Sequence, residues 1–549
     1  MEPAVNDDAL AELRATVEDA ALALLPAGKR PTQGPGLERP PSEELGDYSS
    51  NAAMLLAGSL GESPRQIASR LRDEVARRMD ASAERVEVAG PGFVNLFLSD
   101  TWYRRAIGSL QSAGEKPVIR AAEPPSRILV EFVSANPTGP LTAAGGRHAA
   151  YGDAVARMLE AVGHEVAREY YVNDTGSQIE RFAKSIAARM TGANPPEDGY
   201  EGAYVEDLGE RLAGEGVDPS DLQAVARRGA ELMLERVRES LERYRVEFDG
   251  WFSEHSLHDS GEVEAAIEQL ADAGHVYERD GAVWLRTTSF GDDKDRVLVR
   301  SGGEPTYFVA DVAYHRDKLA RGFERLVDVL GADHHGYVAR MRAAIAALGA
   351  DPEAYEAPIM QLVHIVEGGE RAQMSKRRGE FVTLDEVVGD IGVDATRYFM
   401  LQRSHDTTVD LDLELARRES SENPVYYVQY AHARIASILR KAGEAARRAK
   451  EVDHSDVQAA LEPAERALVK RLLEFGDEVS EAAERRAPHR LCAYATSVAA
   501  DFHAFYRDCK VVGAEGNGVE QSRLALCLVT MRTIARTLGL LGIDAPERM

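Results

Sequence analysis

The chain has 549 residues, 44% hydrophobic and 28% charged, with a formal net charge of −26. That length exceeds one hydrophobic core, so several folded domains are expected, and the charge excludes a general affinity for nucleic acid while leaving room for one structured RNA bound through basic patches. No apolar run is long enough to span a membrane, the acidic start lacks a signal-peptide pattern, and the scattered Cys492, Cys509 and Cys527 suit a reducing cytoplasm better than a disulfide framework or metal cluster.

Residues 1–115 read as a small α+β module. Helical periodicity covers Asp7 to Leu24 and returns in SSNAAMLLAGSLG and SPRQIASRLRDEVARRM, and RVEVAGPGFVNLFL reads as strand, tight turn and strand. Pro117, Pro124 and Pro125 mark a linker. Residues 120–420 then open with an apolar strand (Arg127 to Val133), the loop SANPTGPLTAAGG, a helix (Arg147 to Gly163) and a second strand (Val166 to Val172). This βαβ unit predicts a parallel, Rossmann-like sheet with ligands at the carboxyl ends of its strands.

The segment near 175–260 is helical and charged and reads as an insertion. An α/β stretch follows from Val283 to about Leu348, with Tyr307 expected in a strand of YFVADVAYH, a strand in ERLVDVLGADHHGYV, and a helix from near Val338. Residues 421–549 are almost wholly helical. Asn423-Pro424 starts one helix running through VYYVQYAHARIASILRKAGEAARRAK, and two or three more are expected after it.

Two short motifs carry chemistry. Small residues in the first strand-to-helix turn let a backbone approach a phosphate at a helix N-terminus, where N–H groups and the helix dipole favour anions. QMSKRRG at 373–379 supplies cations and a glycine after the α/β core. Its MSK resembles the mobile loop of class I aminoacyl-tRNA synthetases, in which a lysine stabilises departing pyrophosphate.

Longer blocks make the resemblance specific to arginyl-tRNA synthetases of the bacterial type: GDYSSNAA, VAGPGFVNLFLS, VEFVSANPTGPL, YYVNDTGSQ, FDGWFSEHSL, PTYFVADVAYHRDK, GADHHGYVARMRAAIAALG, MSKRRGEFVTLDEVVGDIGVDATRYFML, NPVYYVQYAHARI and LGIDAPERM. They run in family order along essentially the whole chain. The resemblance implies a class I catalytic core, an N-terminal module touching the tRNA elbow, and an anticodon-binding bundle at 421–549. It also implies a monomer, tRNA(Arg), arginine and ATP with Mg2+ as substrates, and arginine activation that requires bound tRNA.

The chain departs from the family at two places. The family's His-x-Gly-His is replaced by Thr142, Ala143, Ala144 and Gly145, and the first lysine of its KMSK loop by Gln373. In one reading Thr142 supplies a hydrogen bond to phosphate and His148 and Arg147 supply charge. In the other, the chain is a degenerate paralogue that binds tRNA without charging it. A cysteine-specific class I enzyme is a further alternative, disfavoured because all three cysteines lie in the C-terminal bundle.

By resemblance, Pro137, Thr138, Gly139, Thr142, Gly145, Gly146, Met374, Ser375 and Lys376 form the ATP site, with Lys376, Thr142, Gly145 and His148 closest to the chemistry. A guanidinium is planar, permanently charged and has five donors, so its receptor should offer carboxylates. The family positions are Tyr307 and Asp311 for the guanidinium, and Glu131 and Asn136 for the α-amino end, with His335 nearby. The run Asp333-His334-His335 is not read as a metal site, because adjacent residues converge poorly on one ion, and no protein-bound metal is expected. In the C-terminal bundle Tyr430 and Arg434, one helical turn apart, are the expected tRNA contacts.

Overall fold

The computed structural model describes residues 8–26, 34–114, 119, 121–334, 336–371 and 382–549. His335 and the segment 372–381, with Met374, Ser375 and Lys376, lie outside the described residues, as does part of the linker.

In the N-terminal module, α1 (Ala9–Ala23), α2 (Ala52–Leu60), α3 (Pro64–Met79) and α4 (Asp100–Ser112) pack with a sheet of β1 (Leu37–Glu38), β2 (Tyr48–Ser50), β3 (Ala83–Ala89) and β4 (Phe93–Leu98). The β3–β4 hairpin turns at Gly90 and Gly92, both at positive φ, as the Gly-Pro-Gly spacing requires.

The core runs through β5 (Arg127–Glu131), α5 (Ala143–Ala161), β6 (Glu165–Val172), the helices α6 (Gly176–Met190), α7 (Ala203–Gly214) and α8 (Leu222–Arg243), and then β7 (Gly250–Ser253). Next come α9 (Glu254–Asp259), α10 (Glu262–Asp272), a small antiparallel sheet of β8 (Val276–Arg279), β9 (Ala282–Leu285) and β10 (Arg296–Val299), then α11 (Tyr307–Ala320), β11 (Arg325–Asp328), α12 (Tyr337–Ala347) and β12 (Tyr355–Glu356). The central sheet is wholly parallel in the order β12-β11-β5-β6-β7. Strand order reverses between β5 and β11, the switch point at which ligands of such sheets bind, and Glu131 and Asp328 face each other in register there.

The helical insertion is shorter than the expected 175–260, because β7 within that range returns to the sheet beside β6. Tyr307 is not in a strand but opens α11 and is 57% exposed. The segment is rich in Tyr, Phe and Val and so resembles a strand. Its helical period shows once Phe308, Val309, Val312 and Ala313 are seen to turn together into the core. Helix α5 starts four residues earlier than expected, with Thr142 as its N-cap. Its Gly152 lies so close to Phe132 that a Cβ there would collide with the ring, which brings helix and sheet into contact.

Beyond β12, β13 (Val363–Glu367) pairs with β14 (Val409–Asp412), and α13 (Leu384–Leu401) lies between them in the chain. The bundle consists of α14 (Pro424–Ala442), α15 (Pro463–Leu473), α16 (Phe475–Glu484), α17 (Pro488–Asp508) and α18 (Val519–Leu540). The first helix breaks at Gly443 instead of continuing to Lys450, and four long helices follow it, more than expected.

Polar clamps join the parts. Asp47 of the N-terminal module accepts from Lys470 of α15 (2.9 Å) and from Tyr103 (2.7 Å), and Gln111 of α4 meets His454 at 2.8 Å. Arg397 of α13 is fully buried. It pairs with Asp153 of α5 and donates to the carbonyls of Leu541 (2.8 Å) and Tyr244 (3.0 Å). Gly542 has φ +68°, and a Cβ there would strike the Arg397 guanidinium. Gly542→Ala therefore combines backbone strain with a clash on a buried ion pair and should destabilise the protein by about 2 kcal/mol or more. A thermal melt of the variant, expected several degrees below the parent, checks this.

Candidate active site

The loop after β5 and the first turn of α5 collect Pro137, Thr138, Gly139, Thr142, Gly145 and Gly146 in one place. Thr142 Oγ1 accepts from the Gly145 N–H at 3.1 Å, and the Gly146 N–H donates to the Thr142 carbonyl at 3.0 Å. The Ala143 N–H donates to Val382 and the Leu384 N–H to Leu141, so the segment just after 372–381 is fastened to this helix start. The amides of Gly145 and Gly146 are thus committed within the cap, and what this turn offers an anion is the Thr142 hydroxyl proton and the positive end of a 19-residue helix. Gly146 serves packing: a Cβ there would lie 2.6 Å from Leu384 Cδ1.

His148 does not bring charge. Burial, with Arg147 beside it, holds its imidazole down at about 4, so near neutrality it can offer a hydrogen bond only. Arg147 points elsewhere, donating to the carbonyls of Gln361 and Ser404, each at 2.8 Å.

Across the switch point the residues are acidic. Glu131, 9% exposed, accepts from Ser134 Oγ at 2.9 Å and from Lys318 Nζ at 2.6 Å. Lys318 also reaches Asp328 at 2.9 Å. Asp311, one turn into α11, takes a hydrogen bond from the Tyr337 hydroxyl. It has no ion-pair partner among the described residues, and burial, with Glu254 and Glu131 nearby, pushes its carboxyl up to about 7. Glu254 at the end of β7, 3% exposed, accepts from Thr175 Oγ1 at 2.9 Å, and burial raises its carboxyl too.

Sequence reasoning missed Glu254. The signal was available, since it follows the short strand Gly250–Ser253 as Glu131 ends β5, and an acid at the carboxyl end of a core strand is a ligand candidate.

The blocks containing these residues meet in space. Asp174 accepts from Ser253 Oγ (2.6 Å) and the His255 N–H (3.0 Å), joining NDTGSQ to FSEHS. Asn136 Nδ2 donates to Gln178 at 2.5 Å. The Tyr307 hydroxyl lies over Gly176, where a Cβ would stand 2.7 Å away and φ is +81°. Asn136 and Tyr307 therefore both meet the first turn of α6, and Asp311 stands within electrostatic reach of Glu254 and Glu131, which defines the candidate pocket. Among the described residues, no group of three His, Cys, Asp or Glu side chains is arranged to hold a metal ion.

Tyr430 and Arg434 meet on the bundle, away from this pocket in sequence. The Arg434 guanidinium lies 5.1 Å from the ring centroids of both Tyr430 and Tyr506, and Tyr426 and Tyr430 are parallel at 6.2 Å. Tyr430 and Tyr506 are 39% and 38% exposed. His432 turns the other way, its Nδ1 donating to the Pro546 carbonyl at 2.9 Å.

Comparison with known proteins agrees with this arrangement along the chain. Residues 10–98 match the arginyl tRNA synthetase N terminal domain. Residues 110–194 and 226–436 match the catalytic domain of the class I (R) tRNA synthetases, and 428–549 match the DALR anticodon binding domain. The arginine–tRNA ligase of Bacillus subtilis is 45% identical over 529 residues, covering 93% of this chain and 94% of that protein. That of Shouchella clausii is 43% identical over 550 residues, covering 98% of each. The solved arginyl-tRNA synthetase of Thermus thermophilus superposes with a TM-score of 0.77 at 26% identity, over 98% of this chain and 100% of that one. With the family's domains matched in order and relatives 43% and 45% identical over almost the whole length, the chain belongs to the arginyl-tRNA synthetases.

Proposed function

We propose that this arginine–tRNA ligase selects arginine through the half-buried Asp311 and the buried Glu254, two carboxylates without an ion-pair partner among the described residues, which a guanidinium would neutralise. That unpaired acidic pair is the observation that carries the reading. Tyr307 completes the guanidinium end. Glu131 and Asn136 take the α-amino end, with His335 beside them.

ATP, entering as its Mg2+ complex, lies along Pro137 to Gly139 and the first turn of α5, with the Thr142 hydroxyl against the phosphates, Gly145 and Gly146 shaping the turn behind it, and Met374, Ser375 and Lys376 contributed by the 373–379 segment. The arginine carboxylate attacks the α-phosphate, pyrophosphate leaves against Lys376, and a terminal ribose hydroxyl of tRNA(Arg) then attacks the acyl carbon and releases AMP. The protein contributes no nucleophile. It orients the reactants and stabilises charge. Helix polarity and the Thr142 hydroxyl stand in for the family's two histidines.

The N-terminal module takes the tRNA elbow, and the exposed Tyr430 and Tyr506, with the half-buried Arg434 between them, take splayed anticodon bases by stacking. We take the protein to act as a cytoplasmic monomer, as the family resemblance implies.

Purified protein should charge tRNA(Arg) with labelled arginine only when ATP is present. Tight tRNA binding without charging would instead support the degenerate paralogue. Because a bound guanidinium lowers the Asp311 carboxyl from about 7, binding releases a proton, and acid should oppose it. Arginine affinity is expected to fall about tenfold from pH 7.5 to 6. Titration calorimetry in two buffers of different ionisation enthalpy reads the released proton, and Asp311→Asn should abolish that part of the pH dependence. On the bundle, Arg434→Ala is expected to raise the Kd for tRNA about tenfold with the Kd for ATP unchanged. Filter binding of both ligands tests this, and unaltered tRNA affinity would remove Arg434 from the interface.

A further inference from the structure

Four carboxylates gather at the switch point: Glu131 and Asp328 at the ends of β5 and β11, Asp311 on α11 and Glu254 after β7. A single ammonium serves only two of them. Lys318, fully buried, places Nζ 2.6 Å from Glu131 and 2.9 Å from Asp328, over the Tyr314 ring at 4.2 Å. His315 adds to the same pair, its Nε2 2.9 Å from Asp328 and its Nδ1 2.8 Å from the Asp311 carbonyl. That carbonyl can only accept, so Nδ1 carries a proton. The strand-end pair thus shares the Lys318 ammonium, whereas Asp311 and Glu254 have no ion-pair partner among the described residues.

This division matters because arginine has a cationic group at each end. Two ionised carboxylates on adjacent strands, if left open, would attract a guanidinium as strongly as the helix-side pair does, and the substrate could enter in either direction. We propose that Lys318 is a positioning residue that occupies Asp328 and Oε2 of Glu131, leaves only Oε1 of Glu131 to the α-amino group and Asp311 and Glu254 to the guanidinium, and so fixes the direction in which arginine lies. The inference rests on the assignment of Asp311 and Glu254 made above.

The test is tRNA-supported exchange of pyrophosphate into ATP by the full-length protein, with millimolar free guanidinium as the probe. In Lys318→Met, reversed and non-productive binding should lower kcat about tenfold without raising the KM for arginine. Free guanidinium should inhibit at several-fold lower concentration, since it gains a second site. Lys318→Arg keeps the cation and should return guanidinium inhibition to the parental value. A merely loosened pocket gives the opposite result, a raised KM and weaker guanidinium inhibition. That result, or inhibition equal to the parent's, overturns the proposal. Should Lys318→Met fail to fold, Lys318→Gln makes the same charge change while keeping a hydrogen-bond donor. Asp311→Asn separates the two levels: an unchanged arginine KM there defeats the guanidinium assignment itself. A raised KM there, with parental guanidinium inhibition in Lys318→Met, defeats the role of Lys318 alone.

Discussion

Two parallel strands that end side by side in acids would repel each other in a buried site. The ammonium of Lys318 between Glu131 and Asp328 removes that repulsion. The residual tension is visible in the carboxyls: burial opposes ionisation of both, yet Lys318 and His315 hold Asp328 at about 2, whereas Glu131 is raised. A buried pair of this kind contributes less through net stability than through fixing geometry. Lys318 belongs to α11, so the contact also seats that helix on the sheet and sets where Tyr307 and Asp311 stand. From there the arrangement propagates through Gly176 under the Tyr307 ring to α6, and through Thr175 to Glu254.

The start of α5 depends on a second constraint. Helix α5 approaches the sheet closely enough that Gly152 touches Phe132, and its N-terminus is fixed by bonds to Val382 and Leu384. The residues that follow 372–381 are therefore anchored on the first turn of this helix. Thr142 fits this position as an N-cap, a role the helix needs whether or not a histidine is present.

Much of this was legible in the sequence, and the failures have physical causes. Alternation and small-residue punctuation marked β5, α5 and β6, because a buried parallel strand followed by an Ala- and Gly-rich helix has few other solutions. The helix at Tyr307 was hidden by β-formers whose periodicity only tertiary packing makes decisive. Glu254 stood unnoticed among other polar residues because β7 is only four residues long. The neutral state of His148 comes from burial and from Arg147, and the inward course of Arg147 depends on Gln361 and Ser404, partners remote in sequence that no local pattern announces. Tyr430 and Arg434, by contrast, needed only the helical period to be put on one face, although Tyr506 beside them came from another helix.

The clamp between Asp47 and Lys470 joins residues 423 positions apart, and Arg397 waits for the carbonyl of Leu541. During synthesis the N-terminal module emerges first but must expose its docking face until the bundle follows, on the order of half a minute at ordinary elongation rates. The helices around Arg397 likewise lack this partner until Leu541 has been made. A chain interrupted before these residues therefore presents unpaired charge and apolar surface of the kind that chaperones and proteases recognise.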